Sequence, residues 1–325
     1  MAESPRWAFP ESLQPRAEET AFDLQAALDA VVQLKSEVPE DAFTAPILGT
    51  ERAGNGVVIR DDGLVLTIGY LVTEAERIWL TTNRGAVVQG HVLGYDQATG
   101  FGLVLPLGRL GVAPIPRGRS DDVQTGATAY VIGHGGRAHA LKAELVAKRE
   151  FAGYWEYVLD EALFTAPAHP QWGGAALLAG SGRLVGIGSL LVQEALGDKE
   201  PVDGNMFVPA ELLEPILGDL LRHGRSSEPP RAWLGLYATE VDGRILVGGL
   251  APGAPAETAG LQLGDVVLEV AGERIAGLAD LFRRVWAQGP AGSGVPMTVS
   301  RRGAVLQFQL RSADRNEFLK KPRVH

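Results

Sequence analysis

Residues 168–187 read AHPQWGGAALLAGSGRLVGI, and the reading of the fold starts from how this stretch divides. Ala176, Leu177 and Leu178, a turn at Gly180-Ser181-Gly182, and then Leu184, Val185 and Ile187 read as two short buried strands joined by a hairpin. Short apolar runs bounded by glycine turns favour strand over helix. A tight glycine pair, Gly173-Gly174, feeds straight into those strands. The 41 glycines and many short Val/Leu/Ile runs extend the same reading to the whole chain, mostly β rather than a helical bundle.

Composition bounds the function. With 325 residues, 46% hydrophobic and 21% charged, the chain is long enough for two or three domains with real cores. A formal charge of -9 argues against nucleic acid or an anionic membrane as the general partner. No apolar stretch approaches the roughly 20 residues that a membrane span needs. The opening residues MAESPRWAFPESLQPRAEET show no basic segment followed by an apolar one, so a cytoplasmic setting is expected, or a periplasmic one if a leader was removed. The absence of cysteine excludes disulfides and thiolate chemistry. No cofactor and no metal are expected, since His134 and His139 lack acidic or cysteine partners at a ligand-like spacing.

Working outward, Thr20 and Asp23 resemble a capping box, and Leu24, Leu28 and Val31 then share one face of a helix expected to end near Lys35. From Gly54 the pattern becomes strands and turns: 57–59, a hairpin at Asp61-Asp62-Gly63, and 64–67. Further strands are expected at 87–93, with His91 solvated, and at 127–132, 141–148 and 154–159. A polar loop at 194–205 and a strand at 206–209 follow, then an apolar helix face from Leu212 to Leu221 that Pro215 bends or restarts. Residues 224–231, GRSSEPPR, have linker composition.

These segments resemble the HtrA-type trypsin-like serine proteases. The family's Pro-Gly-Asn-Ser-Gly-Gly-Pro-Leu run, laid on Pro170 to Leu177 without a gap, sets Gly173 at the nucleophilic serine, whereas matching the two glycines sets Trp172 there. Neither register supplies a hydroxyl. The family's Ile-Leu-Thr-Asn-x-His-Val-Val meets Leu66-Thr67 and Leu71-Val72 and sets Tyr70 at the catalytic histidine. Its strand bearing the orienting aspartate meets HVLGYDQATGFGLVLPL, where Asp96 and Thr99 keep step and Gly100 stands for the aspartate. A serine attacks an amide only with an imidazole to take its proton and a carboxylate to hold that imidazole, so the three losses belong together. A neutral phenol is no base near pH 7. His169, His134, Ser181 and Ser189 are read as loop or structural residues rather than a relocated site, and His223 as a helix-terminal cation. Trp7 and Phe9 either lie in a loose tail or pack on a neighbouring subunit, as aromatic residues there do in trimeric members of that family.

Beyond the linker, Trp233-Leu234-Gly235-Leu236, the run GLAPGAPA from Gly249, Ala259-Gly260-Leu261 and Gly264-Asp265-Val266-Val267 resemble the PDZ domains that follow such protease domains. The resemblance implies a groove in which an extended peptide adds as a strand, its carboxylate meeting N–H groups of Leu234, Gly235 and Leu236. Leu281, Phe282 and Val285 are expected on or near the groove wall, part of them as core.

The expected fold class is therefore mostly β, a chymotrypsin/trypsin-like double β-barrel followed by a PDZ domain. The expected divisions are an N-terminal segment at 1–45, a protease-fold domain at 46–223, a linker at 224–231, a PDZ domain at 232–312 and a tail at 313–325. The expected function is a non-catalytic pseudoprotease that binds protein segments through the PDZ domain as an adaptor, chaperone-like or structural subunit. A homotrimer, or an assembly with an active relative, is its expected state. The alternatives are an endopeptidase with a rearranged site and a small-ligand or metal-binding barrel.

Overall fold

The computed structural model describes residues 7–197 and 201–321, and expectations that fall on the remaining positions of the N-terminal segment, the 194–205 loop and the tail lie outside the described residues. Six strands close the first barrel: β1 (Val31–Glu37), β2 (Glu51–Val58), β3 (Val65–Ile68), β4 (Arg77–Thr81), β5 (Val87–Tyr95) and β6 (Phe101–Pro106), in the order β1-β2-β3-β6-β5-β4. The expected helix to Lys35 is corrected here. Helix α1 covers only Leu24–Asp29, its first turn capped by Asp23, whose carboxylate accepts from the Ala26 N–H at 3.0 Å. From Val31 the alternation of buried Val32, Leu34 and Ser36 with exposed Lys35 and Glu37 overrides the helical period, because this segment pairs with β2 on one side and β4 on the other. The first barrel thus starts at Val31, ahead of the expected boundary at 46.

The second barrel holds β7 (Thr128–Ile132), β8 (Ala140–Gly153), β9 (Tyr157–Ala166), β10 (Ala176–Leu178), β11 (Leu184–Val192) and β12 (Gly204–Pro209), ordered β10-β11-β12-β9-β8-β7. The hairpin read from 168–187 is present as the β10–β11 pair, with Ala176 opposite Ile187 and Leu177 opposite Gly186. Leu141, Leu145, Leu163, Leu177, Val185 and Phe207 are wholly buried together in its core. Each such side chain contributes roughly 1.5–3 kcal/mol by leaving water. Phe9 and Leu13 pack on the same core, so the segment before α1 is held by the chain's own barrel. The expected strand at 154–159 begins later: Tyr154, Trp155 and Glu156 form the turn between β8 and β9. After a 3₁₀ turn at Ala210–Leu213, α2 (Leu217–His223) restarts beyond Pro215.

Two compact units result, one from the described residues of Met1–Arg149, Glu161–Ser226 and Lys320–His325, the other from Glu150–Asp160 and Ser227–Leu319. The second unit is built on a sheet of β13 (Leu236–Val241), β14 (Arg244–Leu250), β15 (Val266–Val270), β17 (Gly294–Arg301) and β18 (Ala304–Arg311), with β16 (Glu273–Arg274) paired to β15. In the path β13-β14-β15-β17-β18, β13 is an edge strand. Helix α3 (Leu278–Ala287) turns Leu281, Phe282 and Val285 into the core of this unit. In the tail, Ala313 pairs with Trp233, and Phe318 packs on the Trp233 indole at 4.8 Å.

Candidate functional site

The three positions that the sequence matches set at the triad, Tyr70, Gly100 and Gly173, are linked in space. Gly69 N–H donates to the Gly100 carbonyl at 2.6 Å, which ties the loop carrying Tyr70 to the loop carrying Gly100. A side chain begun at Gly173 would place its Cβ 2.8 Å from the Tyr70 hydroxyl. The phenol therefore occupies the space that a nucleophile at 173 would need. Its hydroxyl donates to the Ser189 carbonyl at 2.8 Å, so it points into the cleft and is engaged. Burial pushes the Tyr70 phenol well above its ordinary range, opposed by a hydrogen bond with the Trp172 side chain. Such a group is a neutral donor, not a proton acceptor. Both sequence registers, Trp172 and Gly173, thus end against Tyr70.

Local chemistry explains the loops. The Asp96 carboxylate accepts from Thr99 N at 2.7 Å and from Thr99 Oγ1 at 2.8 Å, and Gly100 N–H returns to the Asp96 carbonyl at 2.8 Å. This turn leaves Gly100 at φ +78°, where glycine is unstrained and an aspartate would not be. Beneath Tyr70, buried Arg52 donates to the Tyr70 carbonyl at 2.8 Å, to the Thr73 carbonyl at 2.9 Å and to Thr44 Oγ1 at 2.8 Å. Burial lowers the Arg52 pKa and the Glu74 carboxylate raises it. Glu74 in turn accepts from the N–H groups of Phe43 and Thr44 at 2.9 and 2.8 Å.

Asn55, which the sequence reading passed over as a strand residue, stitches the cleft. Its amide donates to the carbonyls of Gln171 at 2.8 Å and Gly173 at 3.1 Å, while its oxygen accepts from His134 N at 2.7 Å. Gly173 also accepts from Asn55 N at 2.8 Å. Its only sequence signal is a side-chain amide between two glycines of a strand.

His169 is structural. Its Nδ1 accepts from Gln171 N at 3.0 Å, so the ring proton sits on Nε2 and is donated to the His139 carbonyl at 2.9 Å. Asn205 clasps its backbone, accepting at 2.6 Å and donating at 3.2 Å. The Trp7 and Phe9 rings pack edge-on at 5.6 and 5.1 Å. Burial lowers its pKa to about 4, with the hydrogen bond to His139 opposing. Ser181 is exposed at the β10–β11 turn, and His91 is exposed on β5. Among the described residues, no group of three or more His, Cys, Asp or Glu side chains could hold a metal. Among the same described residues, no helix is long and apolar enough to cross a membrane.

In the second unit the residues expected to meet a peptide carboxylate meet one already. Leu234 N–H donates to both oxygens of Glu156 at 3.1 and 3.0 Å, and Leu236 N–H donates at 2.8 Å. Gly235, at φ +72°, lets the loop fold inward, since a Cβ there would lie 2.2 Å from Ala254 Cβ. Leu281, Phe282 and Val285 are each no more than 1% exposed, so all three are core under the groove rather than a free wall. Glu156 has no sequence signal, being about 80 positions from its partners, |i−j| 78 and 80. Burial pushes the Glu156 carboxyl up to about 7, against the pull of the Leu236, Leu234 and Gly235 N–H groups and of Arg315.

Comparison with known proteins agrees with the fold and the domain order. The family description "trypsin-like peptidase domain" matches residues 54–187, and "PDZ domain" matches 232–311. The putative serine protease HhoB of Synechocystis sp. is 27% identical over 254 residues, covering 71% of this chain and 59% of that protein. The serine endoprotease DegS of Haemophilus influenzae is 23% identical over 268 residues, covering 80% and 77%. The solved HtrA-type protease AlgW with a decapeptide superposes at a TM-score of 0.53 with 20% identity, over 92% of this chain and 99% of that one. The chain spans about six-tenths of the length of the Synechocystis relatives it matches, 59% and 63%. In fold and domain order the chain is therefore of the HtrA/DegP type, a trypsin-like peptidase domain followed by one PDZ domain.

Proposed function

We propose that this chain is a non-catalytic HtrA-like protein that binds protein segments or C-termini through its PDZ domain and serves as an adaptor, chaperone-like or structural subunit. One observation carries the reading. Tyr70, Gly100 and Gly173, which the sequence matches set at the triad, are linked in space, and together they offer an engaged phenol and two glycines, which supports the reading. Without hydroxyl, imidazole and carboxylate, the remaining rate is roughly 10³ to 10⁴ over water at best, which leaves a peptide bond effectively uncut. The proposed peptide-contacting residues are Leu234, Gly235 and Leu236, above a floor that includes Leu281, Phe282 and Val285. A homotrimer, or a mixed assembly with an active relative, is part of the proposal.

The second reading is a serine-type endopeptidase with a rearranged site, and the names of the relatives favour it, since those matched are called serine proteases or endoproteases. One of them is called a probable periplasmic serine endoprotease, which supports the periplasmic setting for this chain. Incubation of the purified protein with casein and with a quenched peptide, alongside labelling by a fluorophosphonate probe, separates the two. The non-catalytic reading expects neither turnover nor label. Turnover that co-elutes with the chain and is lost in Tyr70→Ala or His169→Ala establishes the rearranged site instead.

A further inference from the structure

The second unit contains a segment that is distant in sequence from the rest of it, Glu150–Asp160, the turn of the β8–β9 hairpin with its flanking ends. Its contacts follow the lines along which a peptide would be held. The Glu156 carboxylate, on a residue only 5% exposed, receives the Leu234 and Leu236 N–H groups. The Tyr154 carbonyl accepts from Ala238 N–H at 2.9 Å, so the segment hydrogen-bonds to β13, the edge strand. Val158 is buried in one apolar cluster with Leu234, Leu236, Leu281, Phe282 and Val285. On the helix side, Arg283 of α3 holds both Glu150 and Asp160, the two ends of the segment. Carboxylate, main-chain pairing, apolar anchor and helix contact are the four elements by which a strand-adding peptide with a terminal carboxylate is recognised.

The backbone adds an independent sign. Glu156 sits at φ +61°, in the left-handed region. The last position of a three-residue hairpin turn commonly takes this conformation, and glycine is its usual occupant. A glutamate there is strained, and the strain persists where surrounding contacts over-determine it. Here those contacts are the N–H groups that enclose the carboxylate.

We propose that the hairpin turn is an internal ligand of the PDZ domain, with the Glu156 side chain standing in for a peptide's C-terminal carboxylate and keeping the groove closed until a partner carrying a free C-terminal carboxylate displaces it. The inference rests on the peptide-binding reading of the PDZ domain and is independent of whether the cleft cuts. A groove open only for a fraction of the time shows an affinity reduced by that fraction. A turn docked nine-tenths of the time or more weakens an external peptide on the order of tenfold or more.

The test uses the full chain and a pool of decapeptides randomised at the last four positions, each sequence prepared as the free acid and as the C-terminal amide. Binding is compared between wild type, Glu156→Ala, and Arg283→Ala. The arginine variant loosens the segment while leaving Glu156 and its turn intact, should the alanine at 156 fold poorly. The proposal expects both variants to bind free-acid peptides at least about tenfold more tightly than wild type, with the amides left weak in all three. The Leu234 and Leu236 amide protons, protected in wild type, should lose exchange protection in Arg283→Ala and regain it on adding the free-acid peptide. Equal affinity in wild type and both variants overturns it, as does failure of all three to bind any free-acid peptide, because the turn is then a fixed piece of the core. Either result leaves the casein and probe assays unaffected, so failure here is distinct from failure of the non-catalytic reading.

Discussion

The cleft around Tyr70 and the N–H cradle at residues 234–236 differ in what fills them. In the cleft, Asn55 ties three segments together around a residue, Gly173, that has no side chain. In the cradle the Leu234 and Leu236 N–H groups receive a carboxylate of the same chain. Loss of chemistry needs only three side chains to change, whereas loss of binding needs the backbone itself to move. On the non-catalytic reading proposed above, recognition outlasts catalysis on such a fold.

The largest effect expected lies in the cleft scaffold. Gly174 sits at φ +73°, and a Cβ there would stand 1.9 Å from the Asn55 carbonyl oxygen and 2.6 Å from Thr67 Oγ1. Gly174→Ala should lose at least about 4 kcal/mol in urea unfolding followed by tryptophan fluorescence, because the Asn55 backbone and the buried Thr67 hydroxyl leave no room and the φ is one alanine resists. A stable Gly174→Ala protein would mean that the cleft is slack and that the comparison with the cradle is misdrawn.

Next comes the acid response of the first unit. The pKa of His169 is lowered in the fold to about 4 from its ordinary 6.5, so the unfolded chain takes up a proton that the folded chain refuses. Stability present above about pH 6.5 should be lost as pH falls towards 4, by on the order of 3 kcal/mol. His139, the titratable neighbour on the same ring cluster, pushes in the same direction. Urea midpoints of wild type and His169→Gln compared between pH 7.5 and pH 4.5 measure this, and matching slopes would contradict the buried neutral imidazole.

In the cradle the sign reverses. The Glu156 carboxyl is raised to about 7 in the docked segment from 4.5 when free, so docking is strongest below about pH 4.5 and weakens as pH rises through 7. Arg315 opposes this shift, Tyr154 and Tyr237 are titratable groups close by, and Arg283 meets the ends of the segment. Free-acid peptides, ionised throughout, should bind wild type severalfold to about tenfold more tightly at pH 8 than at pH 5.5, and Glu156→Ala should show no such trend. A trend that survives in Glu156→Ala would assign the titration to another group.

How much of this was legible in the sequence depended on distance along the chain. The strands at 57–59, 176–178 and 184–187 announce themselves through glycine turns and apolar runs, and the three triad positions through short gapless matches. Val31 was misassigned to a helix because 24, 28 and 31 fit a 3.6 period. The strand pairings of Val31 that overrule it come from residues such as Val57, 26 positions away. Asn55 and Glu156 were invisible for the same reason. A side-chain amide bonded to residues 116 and 118 positions away leaves no local pattern. A glutamate in a hairpin turn looks like ordinary solvated polarity until the chain returns.

The smallest effect separates the two readings of the cleft most directly. Tyr70→Phe removes one hydroxyl, its bond to the Ser189 carbonyl, and little volume. If the phenol only fills the space beside Gly173, the variant should lose about 1 kcal/mol, the net worth of one hydrogen bond, and should change no rate. If instead the phenol takes part in a rearranged site, the same change should abolish turnover while leaving stability within that same small margin. A nearly silent substitution is the sharper probe here, because destabilisation cannot be mistaken for lost chemistry. Measured on casein beside wild type, with the urea midpoint taken on the same preparation, Tyr70→Phe distinguishes a plug from a participant.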